Sequence, residues 1–106
     1  MDIMTDETLS RNGTLDFLVN LRKIDKRSLT VRDILILYVI IESPGISGIE
    51  ITTKLGIRER SAIASNLRRL EREGYIEDRR EIRSKAVPAV LHALPRGIEF
   101  WDEIKP

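Results

Sequence analysis

Apolar residues recur with helical spacing in several separate stretches of the chain, and most of these stretches are closed by a start or stop signal. Leu15, Leu18 and Leu21 share one side of a first predicted helix, residues 14–27, ending in the basic cluster Arg22, Lys23, Lys26 and Arg27. Cations suit a helix C-terminus, so a solvated helix end is the simpler reading of that cluster. Thr30-Val31-Arg32-Asp33 has the form of an N-terminal capping box, with Asp where Glu or Gln is usual. The helix it opens is predicted to run to about Glu42 and to stop before Pro44-Gly45. Ile34 to Ile41 leave that helix no polar face, and a helix apolar all round has to be covered on every side. Its branched residues make a buried strand the rival assignment, because periodicity alone does not separate the two. The cap and the Pro-Gly stop favour helix, covered by the first helix, by the downstream segment and by a second subunit.

Downstream the elements are shorter and more polar. Ser47-Gly48-Ile49-Glu50 is an S-x-x-E capping box that starts a short helix, with Ile51 and Leu55 on one face. Gly56 stands where a left-handed residue ends such a helix, and Ile57 can supply the accompanying apolar contact. The next helix is predicted from about Glu59 to Glu73, with Ile63, Leu67 and Leu70 as its inner stripe. After Gly74, residues 75–82 and 87–94 read as the strands of a hairpin joined by the basic connector Arg83-Ser84-Lys85-Ala86. Pro88 has no N–H to donate, which argues for an edge strand. Pro95-Arg96-Gly97 opens a last short helix on which Ile98, Trp101 and Ile104 share a face, to be docked on the chain's own core or on another subunit.

Composition narrows the picture. A chain of 106 residues supports one core and not two. The net charge of +1 conceals an asymmetry: Arg58 to Arg96 holds ten basic and six acidic residues, while residues 1–16 carry a net −3 and residues 99–106 a net −2. Positive charge is therefore concentrated in the helix–hairpin segment, which favours a polyanion as partner. At 100° per residue, the outer face of the predicted helix 59–73 presents Arg58, Ser61, Ser65, Arg68, Arg69 and Arg72, with Ala62 beside them. Arginines and small hydroxyls suit phosphates and base edges, and the small residues let the backbone sit close in a groove. Glu71 and Glu73 lie off that face, so it is biased rather than mixed in charge. Arg79, Arg80, Arg83 and Lys85 project from the hairpin, where charged residues also serve to protect a sheet edge.

Other chemistries find little support. There is no cysteine, which excludes disulfides and thiolate metal sites. His92, the single histidine, sits in an alternating apolar strand and reads as a packed or surface imidazole, so no metal site is expected. No Gly-rich phosphate loop, catalytic triad or nucleophile elbow is present, and neither an enzyme nor a cofactor is expected. Low aromatic content leaves few platforms for stacking single-stranded bases. The acidic start MDIMTDETLS lacks a secretory core, and Ile34 to Ile41 is far short of the ~20 residues that span a bilayer, so a cytoplasmic protein is expected.

Residues Leu29 to Trp101, about two thirds of the chain, resemble a winged helix-turn-helix domain of the MarR type. The likeness is carried by Leu29-Thr30, by Ile51-Thr52-Thr53-Lys54-Leu55-Gly56-Ile57, and above all by Leu67-Arg68-Arg69-Leu70-Glu71-Arg72-Glu73-Gly74-Tyr75-Ile76, similar to that family's LxxLExxGxI segment. Leu94-Pro95-Arg96-Gly97 stands where the family has a Leu-Thr-x-x-Gly helix start, and Glu77-Asp78-Arg79-Arg80 where it carries an Asp-x-Arg wing feature. The resemblance implies a mainly α fold with a small β-hairpin (α+β), a three-helix core plus wing flanked by N- and C-terminal helices. It divides the chain into an acidic tail and packing helix (1–28), the winged domain (29–96) and a short C-terminal helix (97–106). It further implies a homodimer joined through Leu15, Leu18, Leu21, Ile98, Trp101 and Ile104, binding double-stranded DNA at a pseudo-palindromic site to regulate transcription, most simply as a repressor. Two other readings stay open at this stage: a winged-helix adaptor that binds protein instead of DNA, and a non-specific or replication-linked DNA binder.

Overall fold

The computed structural model describes residues 29–105. The predicted N-terminal helix, with Leu15, Leu18 and Leu21 and the acidic tail before it, lies outside the described residues. Within them the chain forms four α-helices and a two-stranded antiparallel hairpin: α1 (Val31–Glu42), α2 (Gly48–Leu55), a 3₁₀ turn (Arg60–Ile63), α3 (Ala64–Arg72), β1 (Ile76–Asp78), β2 (Leu91–Ala93) and α4 (Pro95–Ile104). This is the α+β winged arrangement expected.

Local chemistry sets the helix boundaries. Thr30 Oγ1 accepts from the Asp33 N–H (3.1 Å) and the Asp33 carboxylate accepts from the Thr30 N–H (2.7 Å), so the capping box holds with Asp at its third position. Ser47 and Glu50 repeat the reciprocal pair at the start of α2, at 3.2 and 3.0 Å. Gly56 follows α2 at φ 70°, ψ 25°, a left-handed conformation that costs glycine nothing, and lets the Ile57 N–H return to the Thr52 carbonyl at 2.8 Å.

Two boundaries and one strand pairing differ from expectation. The helix predicted from Glu59 begins as a 3₁₀ turn and becomes α-helical only at Ala64. Glu59 makes no side-chain cap, and the Ala62 N–H bonds three residues back to the Glu59 carbonyl (3.0 Å), the tight pattern that an uncapped start adopts. The strands shrink to three residues each, paired Ile76 with Ala93, Glu77 with His92 and Asp78 with Leu91. One further ladder bond, Arg79 N–H to the Val90 carbonyl (2.8 Å), precedes the divergence of the wing. Finally, Ile46 bridges the other edge of β2: the Leu91 N–H donates to Ile46 (3.0 Å) and the Gly45 N–H to Leu91 (2.7 Å). That single-residue third strand carries no periodic signal.

The core gathers Ile36, Leu37 and Ile40 of α1, Ile51 of α2, Ile63, Leu70 of α3, Tyr75, Ile76, Leu91, and Phe100 and Ile104 of α4. Helix α1 is central to it, yet its opposite side is not fully covered: Val31, Leu35 and Tyr38 remain 55%, 48% and 41% exposed. The Tyr38 ring meets Trp101 of α4 at 5.0 Å between centroids, which continues this apolar strip onto the last helix.

Candidate nucleic-acid interface

Helix α3 presents two faces. Leu70 and Asn66 turn inward, while Ser65, Arg68 and Arg72 are exposed, with Ser61 and Arg58 exposed just before them and Ala62 half-buried. Arg68, Arg58 and Lys54 make no ion pair among the described residues. Arg72 has only a loose 3.7 Å contact with Glu73, between two solvated side chains, which is worth little.

Arg69 departs from the expected row of arginines. Its Nη1 donates to both carboxylate oxygens of Asp33, at 3.0 and 2.7 Å, across the α1–α3 contact. Asp33 is fully buried and also accepts from Asn66 Nδ2 at 2.7 Å. A buried carboxylate requires such partners, so the Arg69 charge is committed within the fold. From the sequence, Asp33 is legible only as a cap, and Asn66 does not stand out. The available signal was the i, i+3 spacing of Asn66 and Arg69, which places two polar groups on the same inward-leaning edge.

The wing is braced by its own acids. Arg80, expected at the hairpin tip, instead folds back: Nη1 donates to the carbonyls of Val87 (2.6 Å) and Ser84 (3.2 Å), and Nε lies 2.8 Å from Asp78 without hydrogen-bond alignment. Asp78 Oδ1 accepts from the Arg80 and Val90 N–H groups at 3.1 and 3.2 Å, taking over where the ladder stops. Burial works to raise the Asp78 carboxyl, but those two backbone donors and the charges of Arg80 and Arg83 outweigh it and hold it below the ordinary carboxylate value. This is the Asp-x-Arg spacing, Asp78 to Arg80, acting as an internal strut.

The remaining wing cations divide. Arg79 pairs with Glu77 at 2.6 Å. Arg83 pairs with Glu71 of α3, a bond that raises the guanidinium further above its usual range and links wing to helix. Lys85 is exposed and makes no ion pair among the described residues. Between α3 and the wing runs an open groove of about 670 Å³, lined in part by Ser61, Ile63, Leu67, Lys85 and Pro88.

The expected dimer residues also divide. Ile98 is exposed and Trp101 half-buried, but Ile104 is fully enclosed in the chain's own core and offers nothing to a partner. The buried side of α4 is Gly97, Phe100 and Ile104, with Gly97 set against Tyr75 and Leu37 of α1 and Phe100 stacked on the Tyr75 ring. Among the described residues no helix is long and apolar enough to cross a membrane, and no cluster of metal-ligating side chains occurs.

A model of the MarR family matches residues 27–85. Among solved structures, MarR is similar with a TM-score of 0.69 and 26% identity, over 95% of this chain and 73% of that one. The transcriptional regulator SlyA gives 0.66 and 27% identity, over 98% of this chain and 70% of that one. The transcriptional repressor CouR, bound to a 23-mer DNA duplex, gives 0.64 and 23% identity, over 95% and 70%, a likeness of fold alone. Comparison with curated protein sequences gives no match.

Proposed function

This chain belongs to the MarR family, and from that premise we propose that it is a cytoplasmic, homodimeric regulator of transcription that binds double-stranded DNA at a pseudo-palindromic site and represses by occupying a promoter. The observation that carries this reading is the outward face of α3. Ser65, Arg68 and Arg72 stand exposed there, with Ser61 exposed just before them, and Arg68 has no carboxylate partner among the described residues, while Arg69, Arg80 and Arg83 are each held by one. A helix with that face can enter a major groove, with Arg58 before it and Lys85 on the wing reaching flanking phosphates. The apolar strip of Val31, Leu35, Tyr38 and Trp101, with exposed Ile98 on α4, supports a second copy as its cover. Two copies of α3 would then sit in successive major grooves about 34 Å apart.

The deciding experiment is selection of duplexes from a random DNA pool at near-physiological salt. Enrichment of an inverted repeat supports a dimeric regulator and yields its operator. Uniform recovery replaces it with a non-specific binder, and no retention even at low salt replaces it with a protein-binding adaptor. If each protomer neutralises about four phosphates, log K against log salt should slope near −7. A folded variant carrying Arg68→Ala and Arg72→Ala with undiminished affinity would remove α3 as the reading helix.

A further inference from the structure

Arg68 and Arg69 are adjacent and chemically identical, yet one is exposed and the other is tied to a buried acid. What distinguishes them is Asp33. Three observations converge on it. Asp33 is fully buried at the start of α1, and its position in the first turn suits a negative charge. Two donors reach it from α3, Asn66 Nδ2 at 2.7 Å and Arg69 Nη1 at 2.7 and 3.0 Å. Those donors are three residues apart, one turn along the same edge of the helix. Asn66 Nδ2 also lies 3.5 Å from Thr30 Oγ1, so the anchor is tied into the cap that starts α1.

Apolar packing alone does not set such an orientation, since burial of Ile63 and Leu70 is non-directional. Hydrogen bonds are directional, and two of them one turn apart fix both the slide of a helix and its rotation about its own axis. Rotation matters here because one residue corresponds to 100°: a roll of that size would exchange Arg68 for Arg69 on the outer face. We propose that Asp33 is a positioning residue for DNA recognition, which through Asn66 and Arg69 sets the rotational register of α3 so that Arg68, and not Arg69, is delivered to the duplex. This rests on the functional reading above. It also makes Arg69 a structural cation inside a segment otherwise suited to phosphates.

The test compares salt-dependent binding to the selected operator and to an unrelated duplex for wild type, Arg68→Met, Asp33→Asn and the double variant Asp33→Asn/Arg69→Met. The double variant removes both charges together, so no unpaired buried charge threatens its folding. Arg68→Met should make the salt slope shallower by about one per protomer. Asp33→Asn should release Arg69, steepening the slope on unrelated duplex by about one per protomer. Its preference for operator should fall about tenfold or more, the discrimination of one good base contact. In the double variant operator preference should fall while affinity for unrelated duplex stays at the wild-type level. A merely structural role would lower both affinities together. A folded double variant with full operator preference overturns the proposal, as does one whose slope on unrelated duplex falls as it does in Arg68→Met. Wild-type protein that retains no duplex overturns the functional reading itself, and this one with it.

Discussion

Gly97 of α4 faces the carbonyl of Tyr75 so closely that a β-carbon on it would lie 2.3 Å from that oxygen and 3.1 Å from the carbonyl carbon. The same oxygen accepts the Leu94 N–H at 2.9 Å, so bare backbone of the last helix is seated on the start of the wing. Two effects oppose each other in Gly97→Ala. Helix propensity favours alanine by about 1 kcal/mol. The clash is with backbone, which has no rotamer to move to, and overpacking of this kind costs about 1–3 kcal/mol. Destabilisation should prevail, with the upper end favoured because Leu37 Cδ1 stands 3.2 Å away on another side. Denaturant unfolding checks this, and an alanine variant as stable as wild type would show that α4 can shift without cost.

How much of this was legible in the sequence depended on the distance between the residues involved. The caps of α1 and α2 and the stop at Gly56 are written within four to six consecutive residues, and all three stand where the sequence put them. The apolar run Ile34 to Ile41 was ambiguous by itself, and its flanking Thr30-Asp33 box resolved it as helix. Pairings across the fold were not legible. Asp33 and Arg69 lie 36 residues apart, and nothing in the spacing of arginines on α3 shows that one of them is spent on a buried acid. Gly97 could be aligned with a family helix start, but the carbonyl that requires glycine there belongs to Tyr75. The strands end well inside the ranges 75–82 and 87–94 that the sequence suggests, because Asp78 and Arg80 replace ladder bonds with side-chain bonds and release the strands early.

The start of α2 offers a local stability test. Ser47 is buried, and its hydroxyl accepts the Glu50 N–H that would otherwise lack a partner. Ser47→Ala should cost about 1 kcal/mol, and Ser47→Asp should recover most of it by accepting the same bond. Equal unfolding midpoints for wild type and the alanine variant would mean that solvent serves that amide as well as serine does.

The Glu71–Arg83 pair separates charge from geometry. Both side chains are partly exposed, so Glu71→Gln should leave the unfolding midpoint essentially unchanged. The substitution releases Arg83 from its carboxylate beside the exposed face of α3. Affinity for unrelated duplex should rise, and the salt slope should steepen by up to about one per protomer. A fall in affinity instead would show that the bridge is needed to hold the wing in place.

Acid should open the wing through Asp78. Its carboxyl is held below the ordinary value, so the folded state binds the proton less readily than the unfolded chain does. The sign follows from linkage: the stabilisation is complete above the unfolded-chain value of about 3.9, and it is lost as pH falls through the lower folded value. Between pH 5 and 7 the wing should therefore be insensitive to pH at this site. The amide resonances of Arg80 and Val90, both donors to Asp78 Oδ1, should report the titration together, with a midpoint below about 3.9. Asp78→Asn should abolish that shared response and increase amide exchange at Val90 already at neutral pH, because the amide oxygen is a weaker acceptor and no longer attracts Arg80. A shared midpoint at or above the ordinary carboxylate value would mean that burial, and not the two backbone donors with Arg80 and Arg83, governs the group.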